Sequence, residues 1–305
     1  MKSQTQKIKN KIIVILGPTA SGKSELAVKI AKKINGEIIS ADSIQVYKGL
    51  NIGSGKLIKK EMKRIKHHCI DIASPKKRYT VIDFKKCAEK AIKDILKRDK
   101  TPIICGGTGF YISAITGDVN IPEVKPDWKW RKQLEKKSVE LLFNMLKKLD
   151  PKRAKNIDPK NPRRLIRAIE IARALGKVPE SQISNLKSQK FLFIGIKLSD
   201  KELKIRIEKR VKKMIKDGLL NEVKKLKKSG LSWKRLYELG FEYKYPAMFL
   251  QKKIIRKEML EQMILENQHY AKRQITWFKR DKRIKWLRGH KHIRLWRRIA
   301  PYLLS

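Results

Sequence analysis

Cysteine is scarce in this chain: Cys69, Cys87 and Cys105 are an odd set with neither a CxxC pair nor Cys/His ligand spacing. That argues against a disulfide framework and a zinc site, and the three are expected to be reduced packing residues. No apolar run of about 18 residues occurs, and the opening MKSQTQKIKNK holds no apolar stretch of signal-peptide length. A membrane span is therefore not expected, and the expected compartment is the cytoplasm. No internal repeat or low-complexity tract is present. Acidic residues are few, 29 Asp and Glu against 76 Lys and Arg, which leaves a formal net charge of +47. Such a field attracts polyanions through phosphate contacts and counterion release, so nucleic acid is the first partner to consider. The plainer alternative is compositional drift in a lysine- and isoleucine-rich chain.

What is there suits a folded protein, with 41% hydrophobic and 34% charged residues over 305 positions, long enough for two domains. IIVIL, residues 12–16, is a continuous apolar run that ends at Gly17 and reads as a buried parallel strand. Leu26, Ala27, Ile30, Ala31 and Ile34 follow at helical spacing, and Asn35-Gly36 supplies the stop. Further strands are expected at EIIS (37–40), CIDI (69–72) and TPIIC (101–105), with an amphipathic helix from about Val81 to Lys97. This alternation predicts an α/β fold, a P-loop NTPase-like parallel sheet flanked by helices, with its crevice at the carboxyl ends of the strands.

After Gly117 the pattern turns helical, broken by DP, DPKNP and a stop at Gly176. FLFIGIKL (191–198) looks like one more core strand, and basic helices are expected over Asp200 to Lys228 and about Lys253 to Trp277. The expected organisation is a catalytic core over 1–118, a mainly helical inserted domain over 119–188, and a return to the core with a basic helical region over 189–305.

GPTASGKS, residues 17–24, fits GxxxxGK[ST] between a buried strand and an amphipathic helix. In that context the glycines let backbone N–H groups converge on phosphate oxygens, Lys23 adds a mobile cation, and Ser24 can ligate Mg²⁺. The loop from Gly17 through Pro18, Thr19, Ala20, Ser21 and Gly22 to Lys23 and Ser24 is thus a candidate phosphate site of the nucleotide-binding, ATP-binding type. Asp42 follows the second strand and should face the same crevice; alternatively it caps the next helix. Arg206 and Arg210 lie four apart on one helix face, either a mobile lid over the phosphates or a solvated basic face.

GPTASGKS together with SADSIQVYKGLNIGSGK (40–56), HHCIDI, GGTGFYI (106–112), PRRLIRAIE, RIEKRVKKMIKDGLLNEV and KRQITWF (272–278) resembles the tRNA dimethylallyltransferase (tRNA isopentenyltransferase) family. The segments occur in order over most of the chain. The resemblance implies a prenyltransferase that modifies tRNA. It would move the dimethylallyl group of dimethylallyl diphosphate onto N6 of the adenine immediately 3′ of the anticodon, giving N6-dimethylallyladenosine and diphosphate. The loop would then hold a prenyl diphosphate, with Mg²⁺ as cofactor and the tRNA anticodon stem-loop as partner. A monomer is expected. The alternative is a P-loop small-molecule kinase or a free-nucleotide prenyltransferase.

Carried over residue by residue, the resemblance implies Asp42 as general base and Thr108 beside the reacting base, the latter alternatively a turn threonine satisfying local backbone. Lys23 would assist departure of the diphosphate and Thr19 would share its pocket. Asp42, Ser43, Ile44 and Gln45 match the tRNA-contacting stretch, as do Arg163, Arg164, Leu165, Ile166 and Arg167, with Lys129 or Arg131 before them. Gln274 and Trp277 are further candidates for the anticodon loop, Trp277 alternatively a core anchor. The tail around Trp286 and Trp296 suits phosphate contact beside stacking, or a basic helix with its tryptophans turned inward. Two departures stand out. IGSGK (52–56) replaces the family's IGTAK, and Gly240, Phe241, Glu242 and Tyr243 stand where Gly-Tyr-Lys/Arg-Glu is usual, which puts the local RNA contact of Gly240 and Phe241 in question.

Overall fold

The structure, a computed structural model, describes residues 11–119, 121–179 and 190–289. It divides into two compact units, one of residues 1–116 with 186–305 and one of residues 117–185.

The larger unit is built on a six-stranded parallel sheet of order β3-β2-β4-β1-β5-β6. The strands are β1 (Lys11–Leu16), β2 (Gly36–Ser40), β3 (His67–His68), β4 (Thr101–Gly106), β5 (Lys190–Lys197) and β6 (Lys285–Arg288). Side chains alternate across a strand, so a run without polar residues must bury both faces. In β1, Ile12, Val14 and Leu16 enter one core with Phe84, Ala88, Ile92 and Ile95 of α3 (Val81–Lys97). Ile13 and Ile15 enter the opposite core with Leu26, Ala27 and Ile30 of α1 (Lys23–Lys33). Between these helices lies the short α2 (Lys59–Met62), and α4 (Gly109–Thr116) follows β4 directly.

Two expectations need correcting. The strand expected at 69–72 is instead His67–His68, because Cys69 (φ 57°) and Asp71 (φ 54°) take left-handed backbone that cannot continue a ladder. Trp286 belongs to β6, not to a helix; its ring lies over Gly195 of β5, where a Cβ would come within 2.6 Å of it. Trp296 lies outside the described residues.

In the smaller unit α5 (Trp128–Leu134), α6 (Val139–Leu149), α7 (Pro151–Lys155) and α8 (Pro162–Leu175) each start at a side-chain cap, from Asp127, Ser138, Asp150 and Asn161 respectively. Leu134, Leu142, Leu146, Leu165, Ile166 and Ile169 form its core. Helices α9 (Asp200–Lys216), α10 (Leu219–Lys228), α11 (Trp233–Glu238), α12 (Phe241–Leu250) and α13 (Arg256–Phe278) complete the larger unit. Gly218 (φ 99°) divides α9 from α10, so the stretch from Asp200 to Lys228 is a pair of helices.

Glu37 of β2 is buried under Arg98, which grips both its oxygens (2.5 and 2.7 Å), and it also meets Lys100 (2.9 Å) and His68 (2.8 Å). Arg98 foremost, with Lys100 and His68, holds its carboxyl well below the usual range against the opposing effect of burial. A folded-state pKa depressed in this way contributes stability above the unfolded value of 4.5 and loses it as pH falls through and below that point. Glu37→Gln is therefore expected to cost roughly 2–3 kcal/mol at pH 7, because it leaves Arg98 and Lys100, both partly hydrated, without their anion and His68 without its partner. The difference from wild type should shrink steadily below about pH 4.5, measured by urea denaturation across pH.

Candidate active site

The register of the sheet brings three loops to one place. Leu16 pairs with Gly106 and Ser40 with Cys105, so β1, β2 and β4 end level with one another. The glycine-rich loop after β1, the Ala41–Asp42 turn after β2 and the Gly107–Gly109 turn after β4 therefore leave the sheet side by side, with β4 in the middle.

The glycines of GGTG are there for close approach. A Cβ on Gly106 would come within 2.1 Å of the Ala41 carbonyl oxygen, one on Gly107 within 2.2 Å of Gln274 Nε2, and one on Gly109 within 2.3 Å of the Trp277 indole. Trp277 is accordingly packed half-buried against the sheet's core. Gln274, buried on α13, donates from Nε2 to the Gly107 carbonyl (2.9 Å) and accepts from the Thr19 N–H at Oε1 (2.8 Å). One carboxamide thus ties the glycine-rich loop to the turn after β4. Tyr270, one helical turn earlier, lies beside Thr108 and Gln274, and its ring meets Phe241 edge-on at 6.0 Å. Thr108 in turn accepts the Ser43 N–H at Oγ1 (3.2 Å) and donates its own N–H to Ala41 O (3.2 Å), which joins the second loop to the third.

Within the glycine-rich loop, Lys23 Nζ folds back to the Pro18 carbonyl (3.2 Å). Burial holds its ammonium below the ordinary lysine value; the Arg210 charge adds to this, and Cys105 and Asp42 oppose it. Ser21 Oγ is buried with no hydrogen-bond partner among the described residues. Gly22 starts α1 with φ 86° and no side-chain cap, so the first N–H groups of that helix are left for an external acceptor. Arg210 reaches Thr19 Oγ1 from α9, with its guanidinium against Gly55. An alanine at position 55 would place its Cβ within 2.4 Å of Arg210 Nη2, so the glycine of IGSGK makes room for this arginine. Arg206 lies one turn back on the same helix and pairs with Glu202 (3.2 Å).

Asp42 accepts the Ile44 and Gln45 N–H groups on Oδ1 (2.9 and 3.2 Å), capping a turn, not a helix. Its Oδ2 takes no donor among the described residues. Gln45 is bound by Ser40 Oγ (2.8 Å) and donates to Ser54 O and Gly55 O, while Ile44 packs on the helical cluster. Cys105 feels the charges of both Lys23 and Asp42 and lies near Ser24, which places the Ser24 hydroxyl among these charges.

Three features were not anticipated from sequence. Glu222 accepts the Asn51, Ile52 and Gly53 N–H groups and the Tyr243 hydroxyl, holding the 51–55 turn under Arg210. Tyr270 has a weak signal, its spacing of four from Gln274 on one helix face; Glu222 has none. Glu242 stands near Asp42 and Arg210; burial pushes its carboxyl up to about 7, opposed by Arg210 and reinforced by Asp42.

In the smaller unit, Arg131 grips buried Glu170 through Nε (2.6 Å) and Nη2 (2.5 Å), and Arg167 joins the same carboxylate (3.3 Å) and the Val124 carbonyl (2.9 Å). Leu165 and Ile166 are core residues, whereas Lys129, Arg163 and Arg164 are exposed.

A parallel sheet with a cationic, anion-ready loop beside a carboxylate defines an enzyme of group transfer. The IPP transferase family model matches residues 45–281. Among named relatives, the tRNA dimethylallyltransferase of Carboxydothermus hydrogenoformans is 41% identical over 90% of this chain and 91% of its own. That of Anoxybacillus flavithermus is 39% identical over 90% and 89%. The crystal structure of the tRNA isopentenylpyrophosphate transferase from Bacillus halodurans superposes with TM-score 0.71 at 34% identity, covering 97% of both chains. A eukaryotic dimethylallyltransferase acting on tRNA superposes with TM-score 0.80 at 29% identity, covering 95% of this chain and 78% of its own. The chain belongs to the IPP transferase family.

Gln274→Leu removes both bonds of the clamp and leaves a buried N–H and C=O unpaired, an expected cost of about 2–4 kcal/mol. Amide exchange should quicken at Thr19 well beyond any change at Ile13 in the core; equal changes at both sites would argue against a local clamp.

Proposed function

We propose that this enzyme transfers a dimethylallyl group from dimethylallyl diphosphate to the exocyclic N6 amine of the adenine immediately 3′ of the anticodon in tRNA, releasing diphosphate. The observation that carries the reading is the Gly17–Ser24 loop and Arg210, with the two cations Lys23 and Arg210 and, among the described residues, a Ser21 hydroxyl without a partner and an adjacent Asp42 with one oxygen free. The loop and its sheet are read as P-loop NTPase-like, turned from nucleotide to prenyl diphosphate.

An allylic carbon–oxygen bond ionises as negative charge on the leaving diphosphate is neutralised. The loop amides, Ser21 Oγ, Lys23 and Arg210 supply that neutralisation. A diphosphate in the loop also favours the charged form of the buried Lys23, because an anion offsets the burial that disfavours it. Mg²⁺ fits the donors present: the Ser24 hydroxyl and Asp42 are hard oxygen groups, and this ion commonly completes its shell with water and phosphate oxygens. Bound there by Ser24, it would add a further positive charge against the diphosphate.

The adenine amine must lose a proton as its bond to carbon forms, and Asp42 Oδ2 is the acceptor. Thr108 holds the Asp42 turn through Ser43 N–H and lines the same space. The target base must be flipped out of its stack to enter, and the Phe241–Tyr270 pair offers an aromatic wall beside Thr108 for it. Exposed Lys129, Arg163 and Arg164, and the +47 net charge, suit the phosphates of the anticodon stem-loop. Among the described residues no helix is long and apolar enough to cross a membrane, and a cytoplasmic monomer is the form proposed.

Labelled dimethylallyl diphosphate, Mg²⁺ and unmodified tRNA should yield labelled tRNA. Asp42→Asn should lower turnover by at least about a hundredfold, the lower end of the general-base range, with tRNA affinity largely kept. Label on free AMP without RNA, or transfer of an ATP phosphoryl group, would favour the small-molecule alternative.

Glu242 adds a pH dependence. It is neutral below about 7 and charged above, where it sets a second negative charge beside Asp42 and competes with diphosphate for Arg210. Affinity for dimethylallyl diphosphate should fall as pH rises through about 7, and Glu242→Gln should flatten that fall in a titration followed by calorimetry.

A further inference from the structure

Outside the active site, two thiols lie against each other. Cys69 Sγ and Cys87 Sγ are 2.8 Å apart, roughly 0.8 Å longer than a disulfide bond. Cys69 is buried just after β3; Cys87 is half-buried on α3. Tyr79 packs beside both, with its hydroxyl donating to the Asp83 carbonyl (3.1 Å). Lys90, three residues further along α3, puts a positive charge nearby. Cys87 therefore sits partly exposed beside a lysine charge, the setting that makes a thiol nucleophilic, with a second thiol against its sulfur.

We propose that Cys87 and Cys69 form a peroxide-reactive modification site, Cys87 as the attacking thiolate and Cys69 as the thiol that resolves it to a disulfide.

The Cys87 thiolate attacks a peroxide oxygen, the O–O bond breaks, and the departing alkoxide or hydroxide takes up a proton. This leaves Cys87 as a sulfenic acid. The Cys69 sulfur then attacks the Cys87 sulfur and displaces hydroxide, which leaves as water with the Cys69 proton. In total two thiols are oxidised by two electrons, and one peroxide is reduced to an alcohol or water plus a second water.

The donors around Cys87 support the assignment of roles. The Cys69 thiol foremost, with Tyr79, the Cys69 backbone and Lys90, favours the Cys87 thiolate and lowers its pKa against the effect of burial. The Cys69 thiol is held up by its bond to Cys87 and by burial. Cys105, buried in the opposite core, is pushed up to about 11 and serves as an internal control.

The site is linked to catalysis through the backbone. Asp71 N–H donates to Gln45 O (3.1 Å), and Ile72 and Ala73 N–H donate to Val46 O (2.9 Å each). The segment following Cys69 thus supports the turn that Asp42 caps. A covalent tie from Cys69 to α3 pulls on that support, so oxidation should change turnover as well as thiol content.

The test treats the whole folded protein with one equivalent of hydrogen peroxide, alkylates the remaining thiols and maps peptides without reduction. The expected result is loss of two hydrogens, a peptide linking Cys69 to Cys87, an alkylated Cys105, and full reversal by dithiothreitol. Before oxidation, Cys87 should react with iodoacetamide at least tenfold faster than Cys105, with its pH midpoint below that of Cys105. Cys69→Ser should stop at the Cys87 sulfenic acid, trapped by dimedone. Equal alkylation of Cys87 and Cys105, over-oxidation of Cys87 with no cross-link in wild type, or an undiminished disulfide in Cys69→Ser would each overturn the proposal. If the cross-link forms and turnover is unchanged, the proposed tie between this site and the Asp42 turn is refuted.

Discussion

β4 lies between β1 and β2, and much of this molecule follows from that placement. A parallel ladder with even spacing sends neighbouring strands out of the sheet on the same edge, so their following loops must meet. Here the three loops carry different chemistry: amides and a lysine after β1, a carboxylate after β2, a threonine in a glycine-rich turn after β4. Because β4 is flush against both neighbours, only glycine fits where its turn passes Ala41 and the Gln274 carboxamide. The three loops are thereby brought together and tied by hydrogen bonds from Gln274 and Thr108.

The second layer of control comes from α9, α12 and α13, which bring polar groups to the loops from outside the sheet. Gln274 spans Thr19 and Gly107, Arg210 covers Thr19, and Tyr270 lies beside Thr108. Glu222 acts at one remove by gathering three amides of the 51–53 backbone under the Arg210 guanidinium. The charges in this region are mutually dependent. Lys23 is disfavoured by burial and by Arg210, and Glu242 is disfavoured by burial and by Asp42. A dianionic ligand relieves the cations and burdens the acid, so binding and protonation are coupled in this crevice.

The positive charge of the chain divides into groups with different work. Arg98, Arg131 and Arg167 neutralise buried carboxylates and belong to the folded scaffold. Lys129, Arg163 and Arg164 are presented to solvent. Composition alone shows an excess and cannot separate these groups, because a buried partner such as Glu170 is distant in sequence from Arg131 and marked by no local pattern.

The amino-acid order by itself determined the alternating elements, the two-faced burial of IIVIL, the glycine-rich loop, and the presence of Asp42 and Thr108 at strand ends. These are local matters, set by side-chain periodicity, turn chemistry and backbone freedom. Only the tertiary structure decided that CIDI breaks at Cys69, that Trp286 closes a sheet edge, that Gln274 and Arg131 are engaged within the protein, and that Cys69 meets Cys87. Each of these turns on which distant group fills a space or satisfies a buried bond. Burial and hydrogen-bond partnership are properties of the packed chain, and no single segment contains them.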